Sequence, residues 1–248
     1  MKRFFAALQF LTVAPLPTAC AWGEEELSRC MVFFPLVGLL IGLLTAALTW
    51  GLGLILPVWP ASVLTVIALI GISRGLHLDG LSDTADGFFS SRPRERILEI
   101  MRDSHIGAMG AAAIACVLLL KVAALASLAQ EGRWQAALLM PVAGRCALVV
   151  TVAVLPYARP GGGLGTLFYR ARPRAGAVWA VLFLALVGWA IAKEAGLAAV
   201  AGSVAFTLLF AVYSYRKIGG ATGDTLGAAC EIAEIVSALT MTMRPLGG

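Results

Sequence analysis

The chain is predicted to be all-α, a polytopic bundle of transmembrane helices, and three observations carry that prediction. Hydrophobic residues make up 60% of it and charged residues only 13%, whereas soluble domains carry about a quarter charged. Apolar runs of roughly 18 residues or more, enough to cross a hydrocarbon core of about 30 Å, recur along it. Its Lys and Arg residues are spread between those runs, as in loops that set membrane sidedness, and form no patch suited to nucleic acid.

Taken in order, Met1 to Ala19 opens on Lys2 and Arg3 and turns apolar before Pro15 and Pro17. It lacks the small-residue cleavage site of a secretory signal and reads as a short interfacial helix. Spanning helices are expected at about 31–52, 54–72, 107–129, 134–156, 176–193, 196–214 and 226–243, seven in all, within a single integral-membrane domain over 1–248. The last is the least apolar, because Glu231 and Glu234 lie inside it. Of 19 Lys and Arg, fourteen fall on one side of this arrangement: Lys2, Arg3, Arg29, Arg74, Arg92, Arg94, Arg96, Arg102, Arg159, Arg170, Arg172, Arg174, Arg216 and Lys217. Arg133, Lys193 and Arg244 fall on the other, while Lys121 and Arg145 lie within helices. The positive-inside bias makes the first side cytoplasmic. The 5 cysteines are scattered without a CxxC pair, which argues against a zinc site or a disulfide frame. No internal repeat supports an inverted-repeat transporter.

Polar residues concentrate in 73–106, which holds six acidic residues, five Arg and both histidines. Its central motif is Arg74-Gly-Leu-His77-Leu-Asp79-Gly-Leu-Ser-Asp83-Thr-Ala-Asp86-Gly. At about 100° per residue, spacing of i, i+4 and i+7 brings the three carboxylates within roughly 60° on one helical face. Like charges so placed repel, and a hard divalent cation such as Mg²⁺ relieves the repulsion. The bland alternative is a hydrated or capping face. His77 is a base, a substrate contact or a polar boundary residue. In Glu99-Ile-Met-Arg102-Asp103-Ser104-His105, Arg102 suits phosphate; Asp103 is a fourth metal donor, or either Asp103 or Ser104 caps the next helix.

A third motif, Gly219-Gly220-Ala-Thr222-Gly223-Asp224-Thr225-Leu-Gly227, opens the last apolar helix and is expected to form an anion nest, with Asp224 and Thr222 supporting metal or capping the helix. The run Arg159-Pro-Gly-Gly-Gly-Leu-Gly165 lacks the ending of a Walker phosphate loop. Arg145 is expected to pair with an acidic residue, since an unpaired charge in mid-membrane is costly.

His77 to Gly87, Arg102-Asp103-Ser104 and Gly219 to Ala228, together with Phe34-Pro35-Leu-Val-Gly38 and Tyr157-Ala-Arg159, resemble the cobalamin synthase (adenosylcobinamide-GDP ribazoletransferase) family over nearly the whole chain. The resemblance implies an Mg²⁺-dependent inner-membrane enzyme with its site facing the cytoplasm. It would join adenosylcobinamide-GDP to α-ribazole or its 5′-phosphate, releasing GMP. On that reading Asp79, Asp83 and Asp86, with Asp103 or Asp224, hold the metal, while Arg102 and Arg74 brace phosphate and an Asp accepts the ribose proton. Ser104, Arg159, Gly220, Thr222 and Gly223 are expected around the substrates. The lipid bilayer is the other partner, nucleic acid is not one, and the sequence leaves a homo-oligomer open. A CDP-alcohol phosphatidyltransferase differs in its Asp spacing, and a cation channel or transporter would place its acidic residues nearer the bilayer midplane.

Overall fold

A computed structural model describes residues 1–14, 23–159, 164–170 and 174–243. Expectations that fall on Pro15, Pro17, Cys20, residues 160–163, Arg172 and Arg244 lie outside them. The described helices are α1 (Lys2–Leu11), α2 (Glu24–Ser28), α3 (Phe34–Ile55), α4 (Val58–Ser73), α5 (Leu76–Phe88), α6 (Arg94–Ile100), α7 (Ala108–Ser127), α8 (Gln130–Val154), α9 (Leu164–Arg170), α10 (Arg174–Ile218) and α11 (Gly223–Met241). A 3₁₀ turn at Cys30–Phe33 leads into α3.

Helix α8 is the axis of the bundle, with α3, α10 and α11 packed around it. From Ala136 to Val152 every residue of α8 is buried. Pro141 within it has no N–H, so the carbonyl of Ala137 loses its helical donor. Thr45 of α3 donates to that carbonyl at 2.8 Å, which satisfies a group that hydrocarbon would leave stranded. Close approach of the two helices depends on Gly38, where a Cβ would lie 2.8 Å from the Pro141 carbonyl.

Charges buried in the bundle are paired across three helices. Lys121 of α7 donates to Glu231 and Glu234 of α11, each at 2.6 Å, and Arg145 of α8 donates to Glu234. All four side chains are at most 5% exposed. Two cations balance two anions, which explains how α11 carries carboxylates inside an apolar bundle.

Four described helical stretches are long and apolar enough to cross a membrane: Cys30–Ile55, Ala108–Ser127, Gln130–Val154 and Arg174–Ile218. The number becomes five if α4 and α5, bent by 91°, are taken as one broken span. The expected spans at 176–193 and 196–214 are the arms of one hairpin. Helical angles fail at Ala192 and Lys193, and a Cβ on Gly188 would lie 3.0 Å from the Gly196 carbonyl, whereas residues eight apart in a continuous helix are separated by about 12 Å. Segment 73–106, polar enough to suggest a loop, is mostly helix. Arg74 and Gly75, at φ 55 and 66, turn the chain into α5, which we take as lying outside the spans.

Candidate active site

Helix α5 divides its residues cleanly between two faces. His77, Leu78, Gly80, Leu81, Ser82, Thr84, Ala85, Gly87 and Phe88 are buried, while Asp79 is exposed and Asp83 and Asp86 are partly exposed. The acidic face expected from the i, i+4, i+7 spacing therefore exists. Glycine brings it against α11: a Cβ on Gly80 would lie 2.7 Å from the Asp224 carbonyl, and one on Gly227 would lie 2.9 Å from that of His77. Gly80→Ala is expected to wedge α5 from α11, costing about 1–3 kcal/mol and most activity, as thermal unfolding and turnover in detergent will measure.

Contacts from distant segments close the site. Pro156 and Ala158 exchange backbone hydrogen bonds with Ala221 at 2.9 and 2.8 Å. Arg94 donates to the carbonyls of Ile218 at 2.7 Å and Ala158 at 3.1 Å, and Lys217 donates to that of Phe88 at 2.8 Å. Arg159 donates to Asp224 and to the Met101 carbonyl. Thr222 caps α11 in a reciprocal capping box with Thr225, and its hydroxyl lies 3.3 Å from an Asp224 carboxylate oxygen.

Carboxylates from two helices crowd together here. Burial, with the charges of Asp224, Asp79 and Asp86 added, pushes the Asp83 carboxyl up to about 7 against the opposing pull of Arg159. Burial also raises Asp224, with Arg159 and the Thr222 hydroxyl opposing it. His77 is lowered to about 3 by burial, helped by the charge of Arg145; the ring is neutral and a weak proton acceptor. Among the described residues no three His, Cys, Asp or Glu side chains already stand as a metal cage. The donor set still fits Mg²⁺, which takes hard oxygens and is commonly held by one or two carboxylates completed by substrate phosphates.

Several expectations change. Asp86 accepts hydrogen bonds at 2.8 Å from the N–H groups of both Gly107 and Gly110, so it caps α7, whose N-cap is Gly107 and neither Asp103 nor Ser104. Asp103 is not placed among the other carboxylates. It accepts from His105 instead, at 3.1 Å from the backbone and 2.6 Å at Nδ1, and this partner lowers its pKa. Ser104 is exposed. Arg102 is exposed and close enough to Tyr157 to influence its titration. Arg74 donates to the Gln9 carbonyl at 3.1 Å and borders a cavity of about 600 Å³ that Asp79 also lines. Of the glycines expected to form an anion nest, Gly220 is buried against Pro156, and a Cβ on Gly219 would lie 3.7 Å from the Arg94 guanidinium. Gly223, in the first turn of α11, is exposed.

A second cavity of about 180 Å³ adjoins the acidic face and is lined by His77, Asp79, Asp224 and Gly223 as well as Phe10, Phe34, Leu148 and Phe168. Sequence reasoning missed these apolar walls, which come from four separate helices and share no spacing.

The model of the family described as cobalamin-5-phosphate synthase matches residues 3–242. The chain belongs to this family. Its similar proteins include adenosylcobinamide-GDP ribazoletransferases of Roseiflexus sp. (45% identical, covering 96% of this chain and 88% of that one), Herpetosiphon aurantiacus (41%, 95% and 94%) and Geotalea daltonii (38%, 100% and 99%). No solved structure gives a significant match. The motifs that carried the resemblance lie within the family match, and the structure gathers most of them at one end of the bundle.

Proposed function

We propose that this chain is an adenosylcobinamide-GDP ribazoletransferase acting late in cobalamin synthesis at the cytoplasmic face of the inner membrane. It would transfer the adenosylcobinamide-phosphoryl group of adenosylcobinamide-GDP to a hydroxyl of α-ribazole or its 5′-phosphate, breaking the phosphoanhydride, forming a phosphodiester and releasing GMP. The observation that carries this reading is the crowding of Asp79, Asp83 and Asp224, with Arg159 among them, beside a cavity in the membrane-embedded bundle. A phosphoanhydride attacked by an alcohol needs neutralised phosphate charge, a positioned hydroxyl and a stabilised leaving group.

Asp79 and Asp83 would hold Mg²⁺, with Asp86 in support from its seat on the α7 N-terminus. Bound there, the ion supplies electrostatic stabilisation of the transferring phosphoryl group and the leaving phosphate. Arg159 leaves Asp224 to brace a phosphate oxygen, and Arg102 lies on the same side. Relieved of that guanidinium, Asp224 gains proton affinity and accepts the proton of the acceptor hydroxyl. Metal-dependent GMP release from adenosylcobinamide-GDP by the purified protein is the expected result; a protein that moves ions and releases no GMP overturns the reading. Asp224→Asn is expected to lower kcat by about 10²–10⁴-fold while Mg²⁺ affinity changes little, measured by turnover beside calorimetric titration.

Mg²⁺ binding carries a pH signature. Asp83 stays protonated below about 7, so the ion displaces a proton near pH 6 and its apparent affinity weakens as pH falls. In metal-free protein the linkage runs the other way. Between the ordinary 3.8 and about 7 the folded chain holds a proton that the unfolded chain has lost, so stability declines as pH rises through that window. Titration at pH 6 in two buffers of different ionisation enthalpy measures the released proton; identical heats in both sink the assignment.

A further inference from the structure

Asp79 also opens onto the larger cavity of about 600 Å³, which lies between α1, the turn from α4 into α5, and α7. Among the described residues its apolar walls are Phe10, Leu76, Ile106 and Ile114, and its charged ones are Arg74 and Asp79. Leu76 is 41% exposed and Ile106 62%. Large apolar side chains left open together beside a carboxylate mark a surface that a ligand covers.

The cavity runs between two environments. Arg74 and Asp79 stand where α5 lies outside the spans, whereas Ile114 is about 9 Å along α7, one of the helices long and apolar enough to cross a membrane. Its α1 wall is tied down. The Val13 N–H donates to the Ile72 carbonyl at 2.9 Å and Arg74 to the Gln9 carbonyl at 3.1 Å, so the end of α1 that carries Phe10 is fastened to the end of α4. A guanidinium has five N–H donors, and the Gln9 bond engages one.

Size and chemistry select the occupant. Sites for whole ligands usually measure about 300–1,000 Å³, a range that this cavity reaches and the neighbouring one of about 180 Å³ does not. Guanosine and pyrophosphate would lose hydration against the four apolar walls without compensation. A macrocycle edged with methyl groups and amide side chains meets walls of both kinds.

We propose that this cavity seats the corrin macrocycle of the donor, with its methyl-bearing edge against Phe10, Leu76, Ile106 and Ile114 and an amide carbonyl accepting from Arg74. The inference rests on the ribazoletransferase reading and assigns its donor subsite. A macrocycle held there leaves its phosphate-bearing arm beside Asp79.

Two fragments of the donor test it: adenosylcobinamide, which carries the corrin and no nucleotide, and GDP, which carries no corrin. With α-ribazole as acceptor and free Mg²⁺ fixed, both are expected to compete with adenosylcobinamide-GDP in the GMP-release assay. Ile114→Trp, which fills the cavity, is expected to raise Ki for adenosylcobinamide about tenfold and to leave Ki for GDP unchanged. Equal rises for both fragments, a rise for GDP alone, or no rise at all overturns the proposal. Where Ile114→Trp fails to fold, Ile106→Cys at an exposed position decides: saturating adenosylcobinamide is expected to slow maleimide labelling of residue 106, read by peptide mass, and GDP is not. Labelling that adenosylcobinamide leaves unchanged overturns the subsite. Wild-type protein that releases no GMP from adenosylcobinamide-GDP sinks the parent reading instead.

Discussion

Asp83→Asn is expected to lower turnover by about 10²–10³-fold or more while the protein still inserts and folds. Asp83 lies between Asp79 and Asp86 along α5, and its carboxyl is raised to about 7 by burial and by the carboxylates around it. Asn keeps the shape and removes the negative charge. The metal-free protein should become no less stable near neutral pH, since a crowded anion has gone, while Mg²⁺ affinity drops. Turnover over a Mg²⁺ titration, together with thermal unfolding in detergent, separates these effects. Near-normal activity at saturating Mg²⁺ refutes the role given to Asp83.

The second large effect lies in the buried charge cluster. Lys121→Met leaves Glu231 without its cation and Glu234 with Arg145 alone, in surroundings where all the partners are at most 5% exposed. Removing one member of a buried pair costs about 3–5 kcal/mol, mostly because the remaining charge is stranded. Lys121→Met combined with Glu231→Gln removes one charge of each sign and should recover much of that loss. Thermal unfolding of the single and double variants in one detergent measures it. A double variant no more stable than the single would show that Lys121 acts by packing and not by charge balance.

Both predictions begin from spacing visible along the chain and depend on partners that are not. Asp79, Asp83 and Asp86 share a face because of helical period alone, so their clustering is legible in the order of residues. The pairing of Arg145 with a carboxylate is also legible there, because hydrocarbon tolerates no lone guanidinium; that Glu234 is the partner, and that Lys121 joins it, depends on how α7, α8 and α11 pack. The cap of α7 is expected within its own neighbourhood, at Asp103 or Ser104, and comes from Asp86 twenty-one residues upstream. Capping rules describe local chemistry, and here the two orphan N–H groups are met by a tertiary contact.

By itself the sequence determined that the chain is a helical membrane protein, that its acidic face lies on α5, and which family it belongs to, since period, hydropathy and motif order are properties of the chain alone. Only the tertiary structure decided which carboxylates stand together. Asp224 joins the α5 face because Gly80 and Gly227 allow two backbones to touch, and Asp103 stays apart, tied to its own neighbour His105. Contacts between segments more than a hundred residues apart follow from packing, which local periodicity cannot encode. The acidic cluster is thus readable as a stripe along one helix, while its second wall becomes visible only when α11 is laid against it.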